Sequence, residues 1–383
     1  MRSAPAVRNR SAMRSSVFAL TSVLALAAAI GPVNAEDLTP EQLAIIKKYG
    51  ISKADQQKLF GTTVAARTPV ATTKPVAALT EEPVQAAEVE KTGFLAGTTV
   101  FAGFDNFKSL GDRITNINGG TGSLTGSYGA VLGFNSGHTL TDSGFGIQAG
   151  AALGVYDFKG RLRIIPEAEA FERHQFYTVG VYKHSDLSDG GGTFADRLSL
   201  GLVYDAMHAE NWGVNANTIS LSQLRGTVGY ALGNSTEVGV WATHGLDTDE
   251  AAVTVAGAPG VRREIRAADQ TNLYVKHHFD FGGDVTAYAG VFDSSAIGEW
   301  QLGMTARVPL NAHWAAYGSA NYVAPDSPSG PMGSGEEQVS LSFGLAYHFG
   351  NAAGSDVGGN KRLPMQDVAS TRTFLITDSL TNP

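Results

Sequence analysis

The chain has 383 residues, of which 46 are glycine, none is cysteine and 17% are charged, with a formal net charge of −8. An average domain carries about 7% glycine and about 25% charged residues, so the composition favours turns and close-packed strands over a coiled coil or a disordered acidic chain. The missing cysteine excludes a disulfide scaffold, a thiolate metal site, a cysteine nucleophile and a lipid-modified cysteine. The negative balance argues against nucleic acid as the main partner.

Arg2, Arg8, Arg10 and Arg14 precede an apolar run over residues 17–30, which Gly31-Pro32 breaks, and Val33-Asn34-Ala35 follow as small cleavage-site residues. This is the order of a secretory signal peptide over residues 1–35. The run is shorter than the roughly 20 residues a spanning helix needs. Cleavage would remove four of the 28 basic residues and none of the 36 acidic ones, leaving a charge of −12. No second apolar run reaches helical spanning length, so membrane entry would require a closed barrel.

Residues 36–61 read as a short helical segment. Thr39-Pro40-Glu41-Gln42 supplies an N-cap, a proline at the first helical position and a capping-box glutamine, and Gly50 stops the helix. A second short helix starts at Ser52-Lys53-Ala54-Asp55 and ends near Phe60-Gly61. Neither is long enough to stand alone, so both need a surface to pack on: each other, the barrel, the cell wall or a periplasmic protein. Residues 62–93, with Pro69, Pro75 and Pro83, read as a flexible linker.

From residue 94 the apolar period becomes two. Leu198, Leu200, Leu202 and Tyr204 alternate with Arg197, Ser199, Gly201 and Val203. Trp300, Leu302, Met304, Ala306 and Val308 alternate with Glu299, Gln301, Gly303, Thr305 and Arg307. Such segments are strands with one apolar and one polar face. The polar face is rich in Gly, Ala, Ser and Thr, which suits a confined wet lumen, while the long apolar side chains suit a lipid-facing wall. The expected fold is all-β, an antiparallel transmembrane β-barrel of about twelve strands (ten or fourteen are the alternatives). The spans are 97–107, 126–136, 146–158, 173–184, 195–206, 219–232, 235–246, 269–280, 284–294, 298–309, 312–324 and 337–349. This reading requires Leu198, Leu200 and Leu202 to lie on the outside, not in a dry centre.

Bacterial barrels have short periplasmic turns and longer outer loops. Gly233-Asn234, Gly282-Gly283 and Leu310-Asn311 are tight turns after the sixth, eighth and tenth segments, and 108–125, 247–268 and 325–336 are long connections after the first, seventh and eleventh. The long stretch Ser185–Phe194 and the short stretch Ser295–Ile297 break the parity. Trp314 and Tyr322 share a face eight residues apart, roughly 20 Å along the membrane normal for a tilted strand, near the spacing of two interfacial aromatic belts. Tyr204, Tyr230, Trp300, Tyr347 and Phe349 join them as candidate interface aromatics.

On these patterns the chain resembles bacterial outer-membrane β-barrel proteins over residues 94–350, most closely barrels of unknown function with a short N-terminal helical extension. The resemblance implies the outer membrane of a Gram-negative-type bacterium, with outer-membrane lipid and the barrel-assembly machinery as partners. Porins commonly finish on an aromatic residue that this machinery reads; here Phe349 is an internal counterpart. Residues 351–383 then form a C-terminal tail, expected on the periplasmic side, whose Phe374-Leu375-Ile376 either plugs the lumen or docks on the periplasmic rim.

No catalytic residue, cofactor site or metal site is expected. There is no Gly-x-Ser-x-Gly elbow and no His-Glu-x-x-His pattern, and His277 and His278 point to opposite faces of a strand. Gly144-Phe145-Gly146 mimics a dinucleotide fingerprint but opens a strand. A phospholipase-type enzyme needs a Ser–His pair on the wall; a turn at Gly282-Gly283 would set His277 against Tyr288, with no serine in reach. Asp247, Asp249 and Glu250 form an acidic cluster that Arg262, Arg263 and Arg266 can pair with, folding their loop back. Arg197, Arg225, Glu237, Lys276, Glu299, Arg307, Gln338 and His348 are the candidate lumen-lining residues. They either set the selectivity of a porin-like channel for small solutes or pair across the lumen and close it, giving a plugged structural or adhesive barrel. A soluble exported all-β protein is the remaining alternative.

Overall fold

The computed structural model describes residues 95–109, 114–115, 121–122, 126–141, 143–157, 171–185, 192–255, 258–293, 297–324, 338–350, 353 and 363–378. The signal-peptide, short-helix and linker readings of residues 1–93 lie outside them. Seventeen strands occur in chain order: β1 (Thr98–Phe107), β2 (Ile114–Thr115), β3 (Thr121–Gly122), β4 (Ser127–Thr139), β5 (Phe145–Tyr156), β6 (Glu172–Lys183), β7 (Leu198–Trp212), β8 (Asn217–Ala231), β9 (Thr236–Gly245), β10 (Thr248–Val255), β11 (Ala258–Ala267), β12 (Gln270–His278), β13 (Asp284–Phe292), β14 (Trp300–Pro309), β15 (Trp314–Ala324), β16 (Gln338–His348) and β17 (Ile376–Asp378).

Twelve of them close a barrel in the order β1-β16-β15-β14-β13-β12-β9-β8-β7-β6-β5-β4. Every neighbouring pair is antiparallel, and β1 closes the ring on β16, with Thr99 opposite His348 and Phe107 opposite Ser340. The twelve strands coincide with the twelve alternating segments of the sequence. Closure leaves no free edge, so each strand's backbone polar groups are satisfied by its two neighbours.

Alternation sends the apolar side chains outward. Leu200 and Leu202 are 37% and 51% exposed and Leu273 is 68% exposed, while Ser199, Val203 and Asp205 between and beside them on the same wall are buried. A closed sheet that turns leucine, valine and phenylalanine outward all round is a transmembrane barrel. The outer face holds Phe104, Leu132, Val181, Leu302 and Phe343 as well.

The end where β1 begins and β16 finishes is here the near end. Its connections 140–144, 232–235, 279–283 and 310–313 are short, and 184–197 is the long one. At the far end, 108–126, 157–171, 246–269 and 325–337 are long, 293–299 is shorter and 213–216 is tight. β7 and β8 run to 15 residues each, beyond the 9–11 residues a bilayer crossing needs. Their hairpin therefore projects past the far end. The connection after β9 is a second hairpin, β10–β11, onto which β17 adds as a third strand. Arg262 pairs with Glu250 across it at 3.4 Å, as the charge pattern of that loop suggested.

Much of the glycine is explained by the inward tyrosines. The Tyr288 ring lies over Gly303 of the adjacent strand, and Tyr274 lies over Gly239; a Cβ at either glycine would run into the ring. One expectation fails here. His277 stands opposite Val285, not Tyr288, because residues 279–283 close the turn with a bond from the Phe279 amide to the Gly283 carbonyl and a second from Gly282 to Phe279. Of the two places expected for the tail, the lumen is the one taken: residues 363–378 lie within the barrel and beyond its far end.

Candidate functional site

The lumen is the site, and its main occupant is the chain's own C-terminal segment. Ala353 donates to the Ala312 carbonyl at the near end. His184, just past β6, donates Nε2–H to the Leu363 carbonyl at 2.8 Å. Deeper in, Asn135 and Gln148 both donate to the Gln366 carbonyl, at 2.8 and 2.9 Å. The Gln366 amide donates back to the Gln148 side-chain oxygen. At mid-barrel the Ala369 amide donates to the Thr178 hydroxyl at 2.9 Å. Towards the far end Gln223 and Gln270 donate to the Thr373 carbonyl. Beyond it, the Ala268 amide donates to Leu375 and β17 pairs with β11, Ile376 opposite Ala267.

Apolar contacts run alongside. Val368, Ala369, Phe374 and Ile376 pack into one buried cluster with Ala152, Phe176, Met207, Trp212, Ile219 and Leu221. These wall residues come from β5–β8, so the segment lies against one side of the barrel. Leu375 joins a second cluster with Ala268, Ile297 and Val323 at the far end.

One ion pair anchors the middle. Asp205, fully buried, accepts from Arg225 Nε at 2.9 Å and Nη2 at 3.1 Å, from Thr178 at 2.7 Å and from Gln223 at 3.2 Å. Arg225 Nη2 also donates to the Asp367 carbonyl at 2.7 Å. A buried carboxylate is tolerable only when its lone pairs are filled in this way. The same pair holds the wall together and holds the tail.

A cavity of about 400 Å³ remains in the lumen around the segment, bordered by residues of all twelve barrel strands and by residues 363–373. Thr286, Thr305, Ser319, Ser342 and Tyr317 line it, with Arg372 on the tail side, its guanidinium 5.9 Å from the Tyr288 ring centroid. Towards the near end, Arg307 makes two bonds to Asp284, at 3.0 and 2.8 Å, and His348 Nδ1 meets the Thr99 hydroxyl at 2.8 Å. Towards the far end Gln301 donates to Asn272 at 2.7 Å.

Of the expected lining residues, Arg225, Glu237, Lys276, Arg307 and His348 border this cavity. Glu237 accepts from Tyr274 at 2.6 Å. Gln338 is buried nearer the far end, reaching the Ile297 carbonyl. Arg197 sits at the near rim and donates to the Ala231 carbonyl. Glu299 is a correction: it stands exposed before β14 begins, since the strand opens one residue later than the alternation suggests. The interface aromatics fall into two groups. Trp314, Tyr347 and Phe349 touch one another at the near end, where Tyr230 contacts Phe194. Trp300 and Tyr322 touch at the far end. Tyr204 is exposed in the middle of the long β7.

The residues that sequence reasoning missed are the tail-binding amides Asn135, Gln148, Gln223 and Gln270, which carry no motif, and one outer-wall cluster. Ser220 and His208 face each other across β7–β8 with Oγ to Nδ1 at 2.8 Å, and His208 Nε2 lies 3.9 Å from Glu210. The tight turn at 213–216, with Gly213 at φ 68°, sets this pairing and was not placed from sequence. The cluster is poorly built for acyl transfer. The Ser220 amide, which would have to face an oxyanion, is given to the Asp249 carboxylate at 2.8 Å, and Glu210 is held by Arg173 at 3.2 Å. Among the described residues, no three His, Asp or Glu side chains gather as a metal site.

Fold and lumen together define a class: a twelve-stranded membrane barrel filled in part by its own C-terminal segment. The chain belongs to a family of unknown function, DUF6666, whose model matches residues 97–376 and so takes in the lumenal segment as well as the barrel. No curated protein matches the sequence. Among solved structures, the chain is similar to outer membrane phospholipase A from Escherichia coli, at 10% identity and TM-score 0.36, over 65% of this chain and 96% of that one. It is similar to the NanC porin at 8% identity and TM-score 0.38, over 66% and 100%. It is also similar to the translocator domain of the autotransporter NalP from Neisseria meningitidis, at 14% identity and TM-score 0.36, over 68% and 91%.

Proposed function

We propose that this chain is an outer-membrane barrel whose lumen is kept closed by its own C-terminal segment, a structural or surface barrel and not a constitutively open porin. The carrying observation is the run of bonds from Leu363 to Thr373 along the lumen wall. Short near-end turns and long far-end connections support a periplasmic near end and an outward far end. The Ser220 amide is committed to the Asp249 carboxylate and not turned to an oxyanion, which favours a non-enzymatic role.

A channel for small neutral solutes is the second reading, favoured by the cavity of about 400 Å³ and its Thr286, Thr305 and Ser319 lining. Conductance in planar bilayers tests both. The full chain is expected to give no steady unitary current, and a Phe374→Ala, Ile376→Ala variant that loosens the segment is expected to flicker open. Steady current from the full chain would replace the first reading with the second.

A further inference from the structure

The wall holds the lumenal segment mainly by its backbone. His184, Asn135, Gln148, Arg225, Gln223 and Gln270 all end on main-chain carbonyls, and Thr178 takes a main-chain amide. These contacts advance in one direction. Leu363 is bound at the near rim, Gln366 a few residues inside β5, Ala369 at mid-barrel, Thr373 at the far end, and Ile376 beyond it on the β10–β11 hairpin. Side-chain amides that end on backbone atoms hold the path of a chain, as strand addition does, while Val368, Phe374 and Ile376 bury their own side chains. The β17 ladder then ties the emerging chain to the far-end sheet.

We propose that the barrel is a conduit for its own C-terminal polypeptide, gripping it by its backbone and delivering the chain after Asp378 to the face opposite the one where β16 ends. The inference rests on the outer-membrane reading above for which face is the cell surface, but not for the crossing itself. Thr381 lies three residues past Asp378, a reach of at most about 11 Å. A ten-residue strand tilted by about 40° rises roughly 25 Å, so the chain at Thr381 cannot return to the near end. Anything placed there shares a compartment with the β10–β11 hairpin.

The chain lacks cysteine, so single-cysteine variants of the full protein report their own exposure. Thr248→Cys marks the far-end hairpin, Asn234→Cys the near-end turn and Thr381→Cys the delivered segment; Thr248 and Asn234 are exposed. Cells are treated with a bulky membrane-impermeant maleimide, intact and after the outer membrane is opened. Thr381→Cys is expected to label with Thr248→Cys in intact cells, and Asn234→Cys only after opening. If Thr381→Cys follows Asn234→Cys, the conduit is overturned. If the Thr248 and Asn234 variants exchange behaviour while Thr381→Cys still follows Thr248→Cys, the conduit stands and the orientation falls. If those two label alike, there is no membrane between them and both ideas fail. A second variant guards against delivery in a minor population: a Thr178→Cys, Ala369→Cys pair should cross-link wall to segment on oxidation, read as a gel-mobility shift. Absence of the cross-link in folded, heat-modifiable barrel would count against the grip.

Discussion

The two halves of the lumen wall are built from different material. The β5–β8 side presents Phe176, Met207, Trp212, Ile219 and Leu221, which join the C-terminal segment in one buried apolar cluster. The β13–β16 side presents the hydroxyls of Thr286, Thr305, Ser319 and Ser342 to the lumenal cavity. Both halves share one outer face of exposed leucine, valine and phenylalanine. The lipid side of a barrel strand answers to the membrane, and the inner side answers to whatever occupies the lumen. Only the inner side distinguishes one half from the other.

The largest expected effect comes from the centre of the packed half. Arg225→Met leaves Asp205 charged and buried without its main partner and should cost about 3–5 kcal/mol, measured as the shift in the urea midpoint of heat-modifiable protein in micelles. The other half has its own pair, Arg307–Asp284, but with side chains 22% and 10% exposed at the near rim. Solvent screening there limits Arg307→Met to about 1 kcal/mol. Equal losses from the two variants would erase the distinction between the halves.

Phe374→Ala removes the segment's largest buried ring and should cost about 3 kcal/mol, with the released segment becoming sensitive to protease. Thr305→Ala on the cavity side should stay within about 0.5 kcal/mol. On the shared outer face, Leu202→Arg and Leu302→Arg should each cost about 2–4 kcal/mol if they sit near the bilayer midplane, with folding into vesicles as the readout. A large difference between these two would mean that the halves differ outside as well.

The smallest effect concerns pH. Burial holds His184 below the ordinary histidine range, opposed in part by its bond to the Leu363 carbonyl. A histidine whose folded pKa is depressed stabilises the folded state fully only above the unfolded value of about 6.5, and that contribution is lost as pH falls through and below it. Mild acidification should therefore loosen the near-end anchor of the segment. The expected outcome is faster proteolysis near residue 363 at pH 5 than at pH 8, abolished in His184→Asn.

The twelve strands were legible in the sequence because alternation has a period of two wherever one face meets lipid, and Leu200 and Leu202 fell on the outside for that reason. Turn chemistry placed the near end correctly at 232–235 and 310–313. It failed at 279–283, where the strand ends frayed by a few residues, and at 213–216, where no glycine-rich pair marks the projecting β7–β8 hairpin. Glu299 was assigned to the lumen by extending the alternation one residue past the strand. Asn135, Gln148, Gln223 and Gln270 looked like ordinary inward polar residues, because what they bind lies more than a hundred positions away.

From sequence alone follow an antiparallel barrel of about twelve strands and which side chains meet lipid, since both depend on neighbours within a strand or across one turn; closure fixes the number at twelve. The path of residues 363–378 depends on contacts between segments far apart in the chain. A short apolar stretch such as Phe374-Leu375-Ile376 is equally at home on a rim or in a lumen. Only closure of the barrel, which brings Phe176, Trp212 and the backbone-reading amides around one axis, makes the interior the place where that segment buries its apolar side chains and pairs its backbone.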